Sequence, residues 1–392
     1  MSYLINYNKP FSVEKTTILR RDLLEWFEKN GRHWIPWKFS FDGSPVKDEE
    51  QINPYPIWIA EVMLQQTQLK TVLPFWKKWM ITFPTLEDLA VADEEKVLLI
   101  WQGLGYYSRA KRIHQSSQIL LKSIGNNSSL NLNSWPRSIE FWMNLPGLGR
   151  TTSASILSSA FNEPYPILDG NVQRVLARLT ANDRPISKEL SNLWALSTKL
   201  LDSKKPRNFN QALMDLGSQI CTVHNPDCLR CPWHSNCIAS LLDQSTRFPM
   251  KQSKKQLPFN VIGVGVIFNG HGDVLIDKRL DQGQLAGMWE FPGGKQEKDE
   301  LIESTIAREI KEELDITIEI LEKLIDFQHS YTHIKLRFKV YICQWIEGDP
   351  KPLASQEIKW VNPQELSKYA FPAANSKIIK ALDDYLTLNK NP

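Results

Sequence analysis

Four of the five cysteines lie close together, and their spacing constrains the fold more than any other feature of the sequence. They follow the pattern C-x6-C-x2-C-x5-C and are Cys221, Cys228, Cys231 and Cys237. In a reducing compartment such a cluster indicates a metal site rather than a disulfide framework. Zinc sites usually present two close pairs, and only one CxxC pair occurs here. The spacing therefore favours a cubane [4Fe–4S] cluster over structural zinc.

The length and composition indicate a globular protein of several domains. A chain of 392 residues exceeds one ordinary hydrophobic core, which predicts two or three domains. Hydrophobic residues make up 42% of the chain and no apolar run reaches the length of a membrane span, so no membrane partner is expected. The N-terminus has no apolar stretch behind a basic start, which predicts a cytoplasmic protein. The net charge of +3 is compatible with a polyanionic partner but does not by itself indicate one.

Hydrophobic periodicity predicts a helical first part. Apolar residues recur at steps of three and four residues, as in amphipathic helices, over 57–73, 93–101, 151–161 and 171–179. The first of these helices is expected to end at Pro74. Weak periodicity and several basic residues then predict a linker at 244–259, which places the helical domain at 1–243.

The remaining part, 260–388, is predicted to have an α+β fold. Alternating apolar positions on either side of Gly270–Asp273 are typical of a β-hairpin. A charged helix is predicted at 301–314, with later strands at 335–345 and 357–361. The chain is therefore expected to combine an all-α domain with an α+β domain.

Two carboxylates in the helical part have surroundings that suit acid–base chemistry. Glu61 lies among apolar residues, either at a surface position or in a cleft; in a cleft, removal from water would raise its pKa and keep it protonated. Asp169 precedes a predicted helix, whose N-terminus would keep it ionised, although many aspartates at such positions only cap a helix. One acid and one anion are what glycosidic cleavage requires.

Two glycines in Leu145–Gly149 predict a tight turn between helices. Such a turn would direct the first amides of the following helix toward an anion, and a DNA phosphate would suit. The alternative is a plain helical hairpin with glycine in its turn.

Together these segments resemble the helix-hairpin-helix base-excision glycosylases that carry an iron–sulfur loop. The resemblance rests on LPGLG at 145–149, LDGNV at 168–172 and the cysteine spacing, and it covers nearly all of 14–242. Within that group, EVMLQQTQ at 61–68 and WQGLGYYSRAKRIH at 101–114 are similar to the MutY-type adenine DNA glycosylases rather than to endonuclease III. Endonuclease III-like enzymes place a lysine two residues after the second hairpin glycine. Thr151 stands there in this chain, so the amine for a lyase step is missing.

The resemblance implies a monomeric, monofunctional enzyme of the nucleoid that excises adenine mispaired with 8-oxoguanine or guanine in duplex DNA, with a [4Fe–4S] cluster as cofactor. Glu61 would protonate the flipped-out adenine, and Asp169 would stabilise an oxocarbenium-like cation. Asn171 would orient these groups.

The resemblance also implies contacts with DNA and with the excised base. The DNA contacts would be Gln66, Thr67, Tyr106, Gly147 and Gly149. Gln66 and Tyr106 would wedge into the base stack beside 8-oxoguanine. The adenine pocket would be formed by Ile35, Trp37, Leu64 and Gln211. Ordinary helix packing is the alternative role of Tyr106, Leu64 and Trp37.

An acidic motif in the C-terminal part, G-x5-E-x7-REI-x-EE-x-x-I, begins at Gly294 and matches the Nudix box except at Asp315, where glycine is usual. Aspartate tolerates the left-handed backbone expected there. Glu309, Glu312 and Glu313 are spaced to share one helix face, and their mutual repulsion predicts a Mg²⁺ ion with a nucleotide pyrophosphate. An exposed acidic helix is the alternative.

Two further segments resemble MutT-like 8-oxo-dGTP hydrolases, namely WEFPGGK at 289–295 and FPAAN at 371–375, in which Asn375 would read 8-oxoguanine. The segment HSYTH at 329–333 instead resembles the lesion-contacting loop of MutY-type proteins, which implicates Tyr331, Thr332 and His333. We therefore expect recognition of 8-oxoguanine in DNA as the main role of this domain. Hydrolysis of 8-oxo-dGTP is a second hypothesis, and a non-catalytic DNA-binding iron–sulfur protein is a third.

Overall fold

The computed structural model describes residues 11–39, 44, 46–47, 50–125, 131–250, 257–331 and 333–389. The predicted lesion contact Thr332 lies outside these residues. The first of two compact units comprises the described residues of 1–76, 80–90 and 115–253. The second comprises those of 77–79, 91–114 and 254–392. Within the described ranges, no helix has both the length and the apolar character needed to traverse a membrane.

Helices dominate the chain as far as residue 241. In the described part they are α1 (Val13–Asn30), α2 (Pro54–Leu64), α3 (Leu69–Thr82), α4 (Leu86–Ala90), α5 (Glu94–Trp101), α6 (Ser108–Ile124), α7 (Ile139–Met143), α8 (Arg150–Phe161), α9 (Gly170–Leu179), α10 (Ile186–Leu200), α11 (Pro206–Gln219) and α12 (Ile238–Leu241). The helices predicted at 93–101, 151–161 and 171–179 are confirmed as α5, α8 and α9. Most of the predicted helical part is therefore helical.

The prediction of one helix over 57–73 is wrong, because the chain turns between α2 and α3. Gln66 adopts a φ of +59°, which is left-handed and interrupts helical hydrogen bonding. Pro74 does not end the helix either, since it lies inside α3. It lies early in that helix, where it removes one hydrogen bond, to the carbonyl of Lys70.

The core of the first unit packs α1, α9 and α11 together. Its buried members include Leu19, Leu23, Phe27, Val172, Val175, Leu176, Phe209, Leu213 and Leu216. Trp233, from the cysteine segment, is also buried in this core, and its Nε1–H donates to the Leu19 carbonyl at 2.8 Å. Three cysteines pack against the same core, so the cysteine segment is fixed to the helix that begins after Asp169.

The C-terminal chain forms a mixed sheet with a helix on each face. The strands in the described part are β1 (Phe259–Phe268), β2 (Val274–Lys278), β3 (Trp289–Glu290), β4 (Gly293–Lys295), β5 (Thr317–Ser330), β6 (Lys335–Glu347) and β7 (Glu357–Val361). Their order is β3-β2-β1-β6-β5, with β4 beside β1 and β7 beside β2. The pair β1–β6 is parallel and the other pairs are antiparallel. One face packs on α13 (Ile302–Leu314) and the other on α14 (Ala373–Asn389).

The predicted hairpin, charged helix and strands of this part are confirmed as β1–β2, α13, β6 and β7. Strand β5 was not predicted, because register shifts near Thr317, Ile320 and Lys323 disturb its alternation of apolar and polar residues. Close packing of α13 on β1 depends on Gly265, where a Cβ would lie 2.7 Å from Ile310.

Candidate active site

A cavity of about 550 Å³ in the first unit brings the predicted catalytic residues together. Glu61 reaches it from α2, and Asp169 and Asn171 reach it from the beginning of α9. The other predicted residues that line it are Ile35, Trp37, Leu64, Thr67, Thr151 and Gln211. Residues far apart in the sequence thus share one cavity, which the resemblance implied.

Glu61 is the one carboxylate of a mainly apolar helix. Its neighbours Ala60 and Val62 are buried, so the helix holds its carboxyl in a desolvated environment. Burial raises the pKa of Glu61 to about 7. The Ser155 hydroxyl and the Lys38 ammonium act in the opposite direction, and the nearby carboxyl of Asp169 raises this pKa further. A substantial fraction of Glu61 is therefore protonated at neutral pH.

Asp169 caps α9 with one of its carboxylate oxygens. The Val172 N–H donates to Asp169 Oδ1 at 2.7 Å, and Asn171 Nδ2 donates to Asp169 Oδ2 at 3.3 Å. Burial nevertheless raises the pKa of Asp169, because it outweighs these hydrogen bonds. The net direction is thus opposite to the influence that the sequence analysis expected of the helix N-terminus.

Asn171 is oriented by Arg174, which the sequence analysis did not identify. Arg174 Nη2 donates to Asn171 Oδ1 at 2.8 Å and to the Gly217 carbonyl at 2.6 Å. Arg174 Nε donates to the Cys221 carbonyl at 2.8 Å. Because the oxygen of Asn171 is held by Arg174, its amide nitrogen faces Asp169. A continuous set of hydrogen bonds thus joins the cysteine segment to the candidate catalytic carboxylate.

The same cavity is also lined by a group of charged residues that was not predicted from the sequence. The backbone N–H of Arg32 donates to Asp215 Oδ2 and its Nε donates to Asp215 Oδ1, both at 2.7 Å. Lys38 Nζ lies 3.7 Å from Asp215 Oδ2, and burial lowers the pKa of Lys38 to about 8. No sequence pattern relates Asp215 to Arg32 and Lys38, which are distant in the chain. The one local signal for this group was that Lys38 follows the predicted pocket residue Trp37.

The predicted DNA-wedging residues have unusual backbone conformations. Gln66 and Tyr106 adopt φ values of +59° and +50°, which are rare for residues other than glycine, and both side chains are exposed. Neither residue lines the cavity. Between α7 and α8, Gly147 has a φ of +80° and requires glycine, whereas Gly149 has a φ of −96°. A Cβ at Gly149 would meet no atom within 4 Å, so the start of α8 is open at this point.

The four clustered cysteines surround a small space of about 20 Å³. All are free thiols. Burial raises the pKa of Cys231 to about 12 and that of Cys237 to about 11, and the neighbouring thiols contribute to both rises. Arg178 Nη1 donates to Cys221 Sγ at 3.3 Å. Four thiols therefore converge on one space beside a buried guanidinium.

The acidic motif of the second unit lies close to two further carboxylates, those of Asp277 and Glu290. Arg308 Nη1 donates to Glu309 at 3.0 Å and to Glu312 at 3.2 Å. Burial raises the pKa of Glu313 to about 7, and the charges of Glu290 and Glu309 raise it further. Burial also raises the pKa of Asp277 to about 8. Among the described residues, no group of three or more His, Cys, Asp or Glu side chains has an arrangement that fits a single metal ion.

The left-handed backbone expected at the end of the acidic helix is confirmed, since Asp315 has a φ of +58°. Glu309 packs on Gly294, where a Cβ would lie 2.1 Å from the Glu309 carboxyl carbon. The glycine of the motif therefore makes room for one of its carboxylates.

The predicted lesion contacts lie at two places in the second unit. The ring of Tyr331 lies 4.7 Å from that of His329 and 6.5 Å from that of His333. Asn375 is buried, and its Oδ1 accepts a hydrogen bond from the Phe291 N–H at 3.3 Å. The amide oxygen of Asn375 is therefore already used inside the unit.

Comparison with known proteins identifies the family. Residues 59–196 match the HhH-GPD superfamily of base excision DNA repair proteins, and residues 263–381 match the NUDIX domain. The chain is 32% identical to the adenine DNA glycosylase of Buchnera aphidicola subsp. Acyrthosiphon pisum (strain APS), over 91% of this chain and 95% of that protein. It is 33% identical to the adenine DNA glycosylase of Arabidopsis thaliana, over 85% of this chain and 58% of that protein. The solved structure of a thermostable thymine-DNA glycosylase aligns with 58% of this chain and 98% of its own, with 22% identity and a TM-score of 0.48. The chain therefore belongs to the adenine DNA glycosylase family of base excision repair, with a helical HhH-GPD region followed by an α+β NUDIX region.

Proposed function

We propose that this chain acts as a monofunctional, monomeric glycosylase at the nucleoid and removes adenine paired with 8-oxoguanine or guanine in duplex DNA. The observation that carries the proposal is the cavity shared by Glu61, with a pKa of about 7, and Asp169 at the start of α9. Glu61 is proposed as the proton donor, and Asp169, whose oxygens accept hydrogen bonds from the Val172 N–H and from Asn171, as the anion; these are the two groups that glycosidic cleavage needs.

In the proposed mechanism the adenine is first flipped out of the duplex into the cavity. Glu61 gives its proton to a ring nitrogen of adenine. The bond between N9 and C1′ then breaks, its electrons go to the base, and adenine leaves as a neutral molecule. The Asp169 carboxylate stabilises the oxocarbenium-like sugar. Glu61, now ionised, accepts a proton from the water that adds to C1′, and an abasic site results.

The adenine pocket is proposed to consist of Ile35, Trp37, Leu64 and Gln211. Trp37 and Ile35 are almost fully buried and give the pocket an apolar wall. The Gln211 side chain, also buried, supplies an amide that can pair with a polar edge of the base. Asn171 is proposed to hold the Asp169 carboxylate in position.

The absence of a lyase step is proposed from Thr151. Its hydroxyl oxygen lies at the cavity and accepts a hydrogen bond from the Leu168 N–H at 3.3 Å, and it offers no amine to attack the sugar. Borohydride reduction during turnover is expected to trap no covalent DNA adduct. A trapped adduct at the level of a true lyase would contradict this part of the proposal.

Contacts with DNA are proposed for Gln66, Thr67, Tyr106, Gly147 and Gly149. The open start of α8 beyond Gly149 would receive a phosphate. The strained backbones of Gln66 and Tyr106 support a role in wedging, because such conformations persist mainly where function requires them.

We propose that Cys221, Cys228, Cys231 and Cys237 hold a [4Fe–4S] cluster. Four thiols around one space supply the ligand set of a cubane cluster, and the Arg178 guanidinium would balance thiolate charge. When bound, the cluster would cross-link this segment and stabilise the fold. The purified protein should contain four iron and four sulfide per chain, and stoichiometric zinc without sulfide would contradict the assignment.

The NUDIX region is proposed to recognise 8-oxoguanine in DNA through Tyr331, Thr332 and His333. The exposed His333 and the stacked Tyr331 offer a polar and an aromatic surface for a base. Asn375 would take part through its amide nitrogen, because its amide oxygen accepts the hydrogen bond from the Phe291 N–H. The division into a glycosylase domain at 1–243, a linker at 244–259 and a recognition domain at 260–388 remains a prediction.

A second candidate function is hydrolysis of 8-oxo-dGTP by the NUDIX region. It is favoured by the raised pKa values of Asp277 and Glu313, because buried carboxyls that repel one another need protons or a cation such as Mg²⁺. The full chain should be incubated with Mg²⁺ and 8-oxo-dGTP. Release of 8-oxo-dGMP that is lost in Glu313→Gln would support the activity, and no release would exclude it.

The main proposal is tested by single-turnover excision on three duplexes that pair adenine with 8-oxoguanine, guanine or thymine. We expect rapid excision opposite 8-oxoguanine, slower excision opposite guanine and little opposite thymine. Equal rates on all three duplexes would contradict recognition of the opposite base.

A further inference from the structure

Tyr106 presents an exposed aromatic ring on a tightly constrained turn. Its side chain is 42% exposed, and its backbone is left-handed. The two glycines that precede it, Gly103 and Gly105, also have positive φ values, of +97° and +77°. Tyr106 therefore adopts a strained backbone conformation that places its ring at the surface.

A row of buried side chains lies behind the Tyr106 ring. The Arg109 guanidinium lies 5.2 Å from the centre of the Tyr106 ring and 5.2 Å from that of Trp101. Trp101 in turn meets Trp79 edge to face at 5.6 Å. Arg109 is only 6% exposed and both tryptophans are fully buried. The exposed Tyr106 ring thus packs on the Arg109 guanidinium, which in turn packs on the buried Trp101.

Arg109 also fixes the backbone of the turn. Its Nη2 donates to the Gly105 carbonyl at 3.2 Å, and Trp101 Nε1 donates to the same oxygen at 2.9 Å. The Arg109 N–H donates to the Tyr106 carbonyl at 2.9 Å. Burial lowers the pKa of Arg109 to about 10, so the guanidinium remains charged at neutral pH. One side chain therefore holds both the peptide before Tyr106 and the face of its ring.

We propose that Arg109 is a positioning residue that holds the Tyr106 ring ready for insertion into the base stack. The inference rests on the proposed function, in which Tyr106 enters DNA. A ring that is already held in its inserting orientation loses little rotational freedom on binding. The loss of side-chain entropy when DNA binds is therefore smaller. A guanidinium against the face of an aromatic ring adds a directional attraction that an aliphatic side chain lacks.

The test is a double-mutant cycle on DNA affinity with the full-length protein. Dissociation constants are measured for wild type, Arg109→Met, Tyr106→Ala and the double variant. The ligand is a duplex that pairs 8-oxoguanine with 2′-fluoro-2′-deoxyadenosine, which resists cleavage. Arg112→Met serves as the control, because it removes the same charge from an exposed position on the same helix. Arg109→Lys keeps the charge without the planar guanidinium, and thermal unfolding shows whether each variant folds.

We expect Arg109→Met to weaken binding about tenfold in the wild-type background and less than about twofold in the Tyr106→Ala background. Arg109→Lys should have an intermediate effect and Arg112→Met a small one. Equal losses in both backgrounds would overturn the proposal, since Arg109 would then not act through Tyr106. Wild-type affinity of Tyr106→Ala would overturn it as well. Failure of the wild-type protein to excise adenine would instead refute the proposed function, which the cycle does not measure. If Arg109→Met does not fold, Arg109→Lys in the two backgrounds supplies the same comparison.

Discussion

The buried carboxyl of Glu61 should lower the stability of the protein at the pH where it acts. Its pKa rises from 4.5 to about 7 in the folded state. A carboxyl with a raised pKa binds more protons in the folded than in the unfolded protein, so the free energy of unfolding falls as pH increases from about 4.5 to about 7. This difference corresponds to about 3 kcal/mol lost above pH 7. Glu61→Gln removes the charge and should therefore stabilise the protein at alkaline pH.

The assay is urea unfolding of wild type and Glu61→Gln at pH 5 and pH 8.5. We expect nearly equal stability at pH 5, where Glu61 is protonated, and a gain of about 2–3 kcal/mol for Glu61→Gln at pH 8.5. The exposed Glu28→Gln on α1 is the matched control and should show no such difference. Glu61→Gln should also lose adenine excision by at least about 100-fold. If wild type and Glu61→Gln keep the same stability difference at both pH values, the carboxyl is not desolvated and the reasoning fails.

Three further perturbations test other parts of the site. Asp169→Asn should reduce single-turnover excision by at least about 100-fold. Its thermal stability should change little, because asparagine also caps helices. An active variant would contradict the anionic role of Asp169. Arg174→Met should slow excision about 10- to 100-fold by releasing Asn171, with duplex affinity much less affected, and an unchanged rate would show that Asn171 needs no such support. Gly294→Ala should destabilise the second unit by about 1–3 kcal/mol in urea unfolding, since the new Cβ would lie 2.1 Å from the Glu309 carboxyl carbon; wild-type stability would mean that this packing relaxes without cost.

Local patterns were sufficient to predict the parts of the site that depend on short segments. The Asp169 cap, the left-handed Asp315 and the cysteine spacing each follow from a few neighbouring residues. Helices α5, α8 and α9 were likewise predicted, because their apolar residues recur at regular steps.

Features that depend on distant contacts or strained conformations could not be predicted in this way. Asp215 meets Arg32 across 183 positions of sequence, and no local pattern relates them. The turn at Gln66 uses a conformation that periodicity does not encode, so α2 and α3 were joined in the prediction. The electrostatic interaction of Glu313 with Asp277 joins α13 to β2, which are distant in the sequence.

The pH dependence of single-turnover excision on the 8-oxoguanine:adenine duplex tests the central claim most directly. If Glu61 donates the proton from a desolvated site, the rate should be nearly constant up to about pH 6, fall to about half near pH 7 and decrease about tenfold per pH unit above about pH 8. A rate that stays constant to pH 9 would show that no acid with a pKa near 7 takes part, and the account of the cavity would be wrong.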